Sequence, residues 1–262
     1  IDLAVIVAPD ELVLDRIEEC ARKGVEGAVV ISAGPHTSRE EREKFEEGIW
    51  EVRKQYGMRI IGPDSTGIIL PNEGIKATLL RVDPAPGSIA FISQNGTIGS
   101  TMLHRGVANN IGFSMFLSLG SMVDVDFADV IDFLQEDYLT KSIMLYVEYI
   151  KNAKRFLSAS RCFARNKPVV VLKPGRHFQS AEALNAYSGR EIGRDAVYDA
   201  AFRRVGIVRV REMSDFFNTA EILVSKSIPR GSRIAIITNS GGIGIIACDI
   251  LAEKRGQLAA LS

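Results

Sequence analysis

An α/β architecture with doubly wound parallel sheets is expected of this chain. Short, continuous runs rich in Ile and Val alternate with helical patterns along its whole length. Such runs suit strands covered on both faces, and strand–helix–strand order favours parallel pairing. The strand candidates are residues 3–7, 27–31, 59–61, 89–93, 113–117, 143–147, 169–173, 207–210 and 234–238. Helical stripes fall between them. Val13, Ile17, Cys20 and Gly24 recur at near-helical spacing, as do Phe45, Ile49, Val52 and Tyr56. The charges from Arg39 to Lys44 then form the solvated face of the second helix.

Composition narrows the functional classes. Among 262 residues, 32 Lys+Arg balance 32 Asp+Glu, which argues against a dedicated nucleic-acid binder. A hydrophobic share of 46% supports a packed core and excludes long disorder. The three cysteines, Cys20, Cys162 and Cys248, lack metal-ligand spacing and read as reduced thiols of a cytoplasmic protein. No apolar run is long enough to span a bilayer, so no membrane association is expected. The chain opens on a strand pattern without Met and closes within another pattern, as a segment of a longer protein would.

Pro71, Asn72, Gly74, Asp83, Pro84, Pro86 and Gly87 crowd residues 70–87, and that density of turn formers predicts an interdomain linker. A second break is expected over residues 227–232, with Pro229 and Gly231. Ile89-Ala90-Phe91-Ile92-Ser93-Gln94-Asn95-Gly96-Thr97-Ile98-Gly99 is echoed by Ile234-Ala235-Ile236-Ile237-Thr238-Asn239-Ser240-Gly241-Gly242-Ile243-Gly244. Two similar domain beginnings explain the echo.

Each echoed segment reads as strand, glycine-rich turn and helix start. A helix N-terminus carries free N–H groups and positive dipole character, so it attracts anions. Gly96 and Gly99, like Gly241 and Gly244, are expected to let the backbone close on an anion, with hydroxyls from Ser93, Thr97 and Ser100. The alternative is a capped turn with no ligand. No P-loop Lys-Ser/Thr follows either turn. Glu148 ends a strand, on the edge where open α/β sheets build sites, although a cap or surface pair would also account for it. Asp124, Asp126 and Asp129 precede a helix and are expected to serve its N-terminus rather than a metal. His36 and His104 read as structural or exposed. His177 lies in a stretch from Pro174 past Tyr187 that reads as a long functional loop.

Together these pieces resemble the NDP-forming acyl-CoA synthetases, relatives of the succinyl-CoA synthetase α subunit. The resemblance is carried by Val29-Val30-Ile31-Ser32-Ala33-Gly34, Gly62-Pro63-Asp64-Ser65-Thr66-Gly67 and Ser93-Gln94-Asn95-Gly96-Thr97. It continues through Asp124-Val125-Asp126-Phe127-Ala128-Asp129, Val170-Val171-Leu172-Lys173-Pro174-Gly175-Arg176, Asp195-Ala196-Val197-Tyr198-Asp199-Ala200-Ala201-Phe202 and Thr238-Asn239-Ser240-Gly241-Gly242. It implies the later part of a Rossmann-like CoA-binding domain over residues 1–76. A flavodoxin-like ligase domain would occupy 77–228, and a second would begin at 229–262.

The resemblance further implies CoA or acyl-CoA and phosphate as ligands, and an oligomer. ATP/ADP with Mg2+ would be handled only by an ATP-grasp domain or partner. CoA contacts would fall at Pro9, Ile31, Ser32 and Ala33, with Asp64 and Ser65 near its acyl end. Phosphate contacts would fall at Ser93, Gln94, Asn95, Gly96 and Thr97, and at Asn239, Ser240, Gly241 and Gly242, the two cups sharing one guest. Glu148 matches a carboxylate that orients the family's phosphorylated histidine. Tyr187 stands where that histidine belongs, and a phenol with a pKa near ~10 is a poor carrier at neutral pH. Asp64 stands where the family usually has Asn. Two functions follow. One is a component of an acid–CoA ligase that turns acyl-CoA, NDP and phosphate into acid, CoA and NTP. The other is a catalytically degenerate acyl-CoA-sensing module.

Overall fold

A computed structural model of the chain describes residues 1–35, 38–188, 193–224 and 231–260. It divides into two units, Ile1–Val224 and Ser225–Ser262.

The first unit opens with a three-stranded parallel sheet, β1 (Leu3–Ile6), β2 (Gly27–Val30) and β3 (Arg59–Ile61). Helices α1 (Asp10–Arg22) and α2 (Arg39–Tyr56) connect its strands. Their apolar stripes, Val13 and Ile17 on α1 and Phe45, Ile49 and Val52 on α2, pack with Ala28, Val30 and Ile60. Ser38 caps α2 by accepting from the Glu41 N–H at 3.2 Å.

A seven-stranded sheet follows in the order β10-β9-β8-β6-β7-β4-β5. Its strands are β4 (Gly67–Leu70), β5 (Ile75–Thr78), β6 (Pro86–Ser93), β7 (Phe113–Ser118), β8 (Ser142–Tyr146), β9 (Val169–Leu172) and β10 (Val208–Val210). The helices between them are α3 (Gly96–Ala108), α4 (Phe127–Glu136), α5 (Ala153–Ala164), α6 (Phe178–Ser188) and α7 (Asp195–Val205), with α8 (Met213–Val224) last. Alternate residues of β6 serve opposite faces. Ala90 and Ile92 pack with side chains of α4, α5 and α7, while Ile89 and Phe91 pack with those of α3 and α8. This is the period-two division of a sheet covered on both sides.

Two expectations change here. Residues 71–74 do not link domains. They close an antiparallel hairpin, in which Leu70 pairs with Ile75, and β4 also runs antiparallel to β7. The boundary expected at residue 76 therefore falls inside β5, a strand of the larger sheet. The stretch read as a long loop after residue 173 is largely helical, as α6.

The segment after β7 ties the two sheets together. Val125 N–H donates to Ile60 O and Val123 N–H to Gly62 O, at 3.1 and 3.3 Å. Asp124 accepts from the Ile60 N–H at 2.9 Å and from Arg53 and Arg59 Nε at 3.1 and 2.9 Å. Asp126 and Asp129 form a reciprocal capping box at the start of α4. All three aspartates thus have structural partners.

The second unit pairs β11 (Arg233–Ile234) in parallel with β12 (Gln257–Leu258) through α9 (Gly241–Glu253). Its first strand is shorter than the expected residues 234–238. The cysteines are free, with Cys162 exposed and Cys20 and Cys248 partly buried. Among the described residues, no helix is long and apolar enough to cross a membrane.

The Asp124 side chain is 4% exposed between two arginines. Asp124→Asn leaves both guanidinium groups facing a neutral amide. It should lower the unfolding free energy by about 1–2 kcal/mol in urea titrations, because the arginines left behind are partly solvated. Added divalent metal should leave the wild-type midpoint unchanged.

Candidate functional site

The order of the large sheet reverses at β6. The chain leaves β6 toward β7 on one side, then returns across it to β8 on the other. Crevices beyond the carboxyl ends of strands form at such reversals. Register makes the strand ends level: Ser93 pairs with Ser118 and with Tyr146, and Tyr146 with Leu172. Gln94, Leu119, Val147 and Lys173 therefore leave the sheet together.

A pocket of about 320 Å³ opens at this edge. Ala33 and Asp64 line it from the smaller-sheet side, with Gly120 and Ser121 from the segment after β7. Gln94, Asn95, Gly96 and Thr97 contribute the turn into α3, and Glu148 follows β8. The fold thus brings together residues from three separated motifs.

Asn95 caps α3, accepting the Ile98 N–H on Oδ1 at 3.0 Å. Its Nδ2 donates to Glu148 Oε1 at 3.2 Å. Its backbone carbonyl accepts the Gly99 N–H. Among the described residues, the N–H groups of Gly96 and Thr97 have no such acceptor, and both residues line the pocket. Gln94 is 6% exposed. Its Oε1 accepts the Glu148 and Tyr149 N–H groups at 2.6 and 3.1 Å, which fixes the orientation of the amide. Its Nε2 is left buried without a partner, as is Thr66 Oγ1 in the pocket wall. Buried donors of this kind are costly unless something accepts from them.

The glycines here also make room for packing neighbours. A Cβ on Gly96 would stand 2.3 Å from Thr66 Cγ2, and one on Gly99 3.0 Å from the Phe116 ring. These glycines admit neighbouring side chains against α3. Gly120, at φ 59°, would place a Cβ 2.0 Å from Pro63 O. That approach holds the residue 62–65 loop against the large sheet. The Gly62–Pro63 peptide is cis, and Asp64 has φ 59°.

Burial raises the Glu148 carboxyl above its ordinary value, and Asp64 pushes the same way. The Asn95 hydrogen bond and Lys173 oppose it. Lys173 is 2% exposed, with Nζ 2.9 Å from Pro174 O and 4.4 Å from the centre of the Tyr198 ring. Burial, with Arg209 beside it, lowers its ammonium to about 8. Arg209 itself bonds Asp195 and Asp199, fastening α7 to the sheet.

Several of the residues expected to meet ligands have structural partners in the fold. Ser32 Oγ accepts from Ala8 N–H and donates to Ala8 O, at 2.9 and 2.7 Å, so it ties β2 to β1. Ser65 Oγ donates to Ser118 O and accepts from Gly67 N–H. Ser93 Oγ, fully buried, closes the turn at Asn95. Pro9 precedes α1 and is exposed, and Ile31 continues β2, its N–H donating to Ile6 O. Asn239, Ser240, Gly241 and Gly242 lie in the second unit. There Ser240 O accepts the Gly244 N–H at 3.0 Å, and a Cβ on Gly241 or Gly242 would meet nothing within 4 Å.

Tyr187 lies on α6. Its side chain lies outside the described residues, as does His36. His177, just before α6, and His104, on α3, are exposed. Among the described residues, no group of three or more His, Cys, Asp and Glu is placed to hold a metal ion. Thr66 and Gly120 line the pocket without having been singled out in sequence, and Lys173, outside its lining, acts on Glu148 through its charge. The one signal for Lys173 was a charge closing an apolar strand run.

The pattern of the succinyl-CoA ligase-like flavodoxin domain matches residues 86–223. The chain belongs to this family. It is 37% identical over 256 residues to the α subunit of acetate–CoA ligase [ADP-forming] II of Pyrococcus furiosus, covering 98% of this chain and 55% of that one. It is 33% identical over 263 residues to 4-hydroxybutyrate–CoA ligase [ADP-forming] of Nitrosopumilus maritimus, covering 99% of this chain and 38% of that one. Among solved structures, an acetyl-coenzyme A synthetase 1 of Ca. Korarchaeum cryptofilum in complex with phosphate and ADP superposes with a TM-score of 0.93 at 33% identity. That match covers 100% of this chain and 56% of the synthetase. The chain therefore spans about half the length of the α subunit and the synthetase it resembles, 55% and 56%.

Three substitutions test this geometry. Gly96→Ala should cost about 1–3 kcal/mol through overpacking. Adding Thr66→Ser, which removes the opposed methyl, should recover most of it in thermal melts. Because the Lys173 value is depressed in the fold, the stability it contributes is full above 10.5 and lost as pH falls through about 8. Wild type should gain roughly 2–3 kcal/mol on Lys173→Met across that window in urea titrations.

Proposed function

We propose that this chain is a component of an NDP-forming acid–CoA ligase, contributing the binding of CoA or acyl-CoA and of phosphate. One observation carries the reading: Glu148, the α3 N-terminus and the residue 62–65 loop line a single pocket at the reversal of the sheet. The free N–H groups of Gly96 and Thr97 supply donors for a phosphate oxygen, with the dipole of α3 behind them. Ala33 and Asp64 stand on the side from which the CoA thiol end would enter.

The relatives' names support an acid–CoA ligase over an acyl-CoA sensor. The three-stranded sheet is read as the later part of a CoA-binding domain, and the seven-stranded sheet as the first ligase domain. Residues 229–262 are read as the start of a second. Nucleotide and Mg2+ are assigned to an ATP-grasp domain or partner. Residue 187 is a phenol, so relay of a phosphoryl group through that position is excluded from the proposal.

Calorimetry with CoA should give saturable binding to the wild type. Ala33→Trp, which plants an indole in the pocket, should weaken it at least about tenfold, or ~1.4 kcal/mol. Equal binding by both proteins, or none by either, counts against the site. With labelled ATP and an ATP-grasp partner, wild type should acquire no acid-labile, base-stable label. Tyr187→His should acquire it.

A further inference from the structure

The pocket that would take an anion is also lined by carboxylates. Asp64 and Glu148 both face it, with Glu46 and Arg42 further along its wall. Their surroundings differ. Asp64 is exposed, whereas Glu148 is 7% exposed. When two carboxyl groups share a site, burial makes the less exposed one, here Glu148, the readier to take up a proton. Asp64 cannot easily withdraw, because its backbone N–H donates to Ser32 O at 3.1 Å and Gly120 packs against Pro63. Glu148 is held in turn, its N–H by Gln94 Oε1 and its carboxylate by Asn95 Nδ2. Lys173 stands on the neighbouring strand end, and Tyr149 donates its hydroxyl to Ser121 O. Gln94, 6% exposed, lines the same pocket, and its Nε2 is buried without a partner.

We propose that Asp64 and Glu148 make oxyanion binding in this pocket proton-linked: one proton is taken up as the anion enters, and Glu148 holds it and donates it in a hydrogen bond to an anion oxygen. This rests on the anion-site reading above and adds a condition to it. Unprotonated, the pair repels the guest; protonated, Glu148 becomes a donor beside the Gly96 and Thr97 N–H groups. The carboxyl proton comes from solvent and returns there on release. Burial, reinforced by the Asp64 charge, raises the Glu148 carboxyl in the empty fold, and an entering anion pushes it further the same way until the proton is taken up.

The test uses sulfate, which does not titrate near neutrality, with inorganic phosphate in parallel. Binding to the full chain is followed by calorimetry from about pH 5 to pH 8 in buffers of different ionisation enthalpy. Wild type should lose sulfate affinity with rising pH, approaching about tenfold per unit, with proton uptake nearing one. Asp64→Asn keeps the left-handed backbone, which Asn tolerates. It should bind sulfate more tightly at neutral pH, with proton uptake displaced to lower pH. Glu148→Gln presents a permanent N–H donor, and should bind without pH dependence or proton uptake. A flat wild-type profile without proton exchange overturns the proposal, as does an Asp64→Asn profile that superposes on wild type. Failure of all three folded proteins, checked by circular dichroism, to bind either anion at any pH removes the anion site itself.

Discussion

The placement of β6 between β7 and β8 governs everything at the site. Parallel pairing on both sides leaves the strand no edge and carries its successor, α3, out of the sheet where the strand order reverses. The N-terminus of α3 then points at a gap that neither neighbouring strand fills. Gln94 locks this arrangement, because one carbonyl oxygen accepts two backbone N–H groups from the segment after β8. That clamp sets the spacing between the α3 turn and Glu148, and a pocket of about 320 Å³ follows from it.

The smaller sheet matters through one short wedge. Segment 119–125 hydrogen-bonds to the end of β3 and buries the Asp124 carboxylate between Arg53 and Arg59. Those bonds bring the residue 62–65 loop over the crevice. Ala33 and Asp64 reach the pocket through that contact, while Ser32 and Ser65 spend their hydroxyls on the backbone that holds it. Serines in motifs of this type serve geometry as readily as ligands. Sequence displays the hydroxyl but not the acceptor it has found.

The strands of the large sheet were legible because covered strands must be apolar on both faces, and residues 89–93, 143–147 and 169–173 are. Hairpin β4–β5 was not. Only β5 lies at the sheet edge, and its Ile75-Lys76-Ala77-Thr78 carries no apolar run; the short run of β4 ends at Pro71, and Pro71, Asn72 and Gly74 look alike in a hairpin turn and a linker. Helix α6 was hidden for the opposite reason. Its Ala, Ser, Gln and Asn residues form no apolar stripe, so it lacks the periodicity that reveals other helices. At the site, the motifs at Ser93–Thr97 and Glu148 were visible, but the packing role of Gly96 was not. It depends on Thr66, a residue 30 positions away in sequence and in contact only after folding.

The charges around the pocket belong together. An anion cradle bounded by Glu148 and Asp64 looks self-defeating if only formal charges are counted. Fixed dipoles alter the balance: the first turn of α3 carries roughly half a positive charge, directed by backbone that cannot reorient. Lys173 adds a second positive group on the next strand end, where burial makes its proton weakly held. Burial destabilises both ionised forms, while each ion favours the other's charge. The site can therefore hold its charges or exchange them for neutral donors at modest cost. Mobile surface lysines would attract an anion over a longer range, but salt would screen them. Helix dipole, clamped amide and buried acid–base groups act at short range and in one direction, and so favour a guest that fits over one that is merely negative.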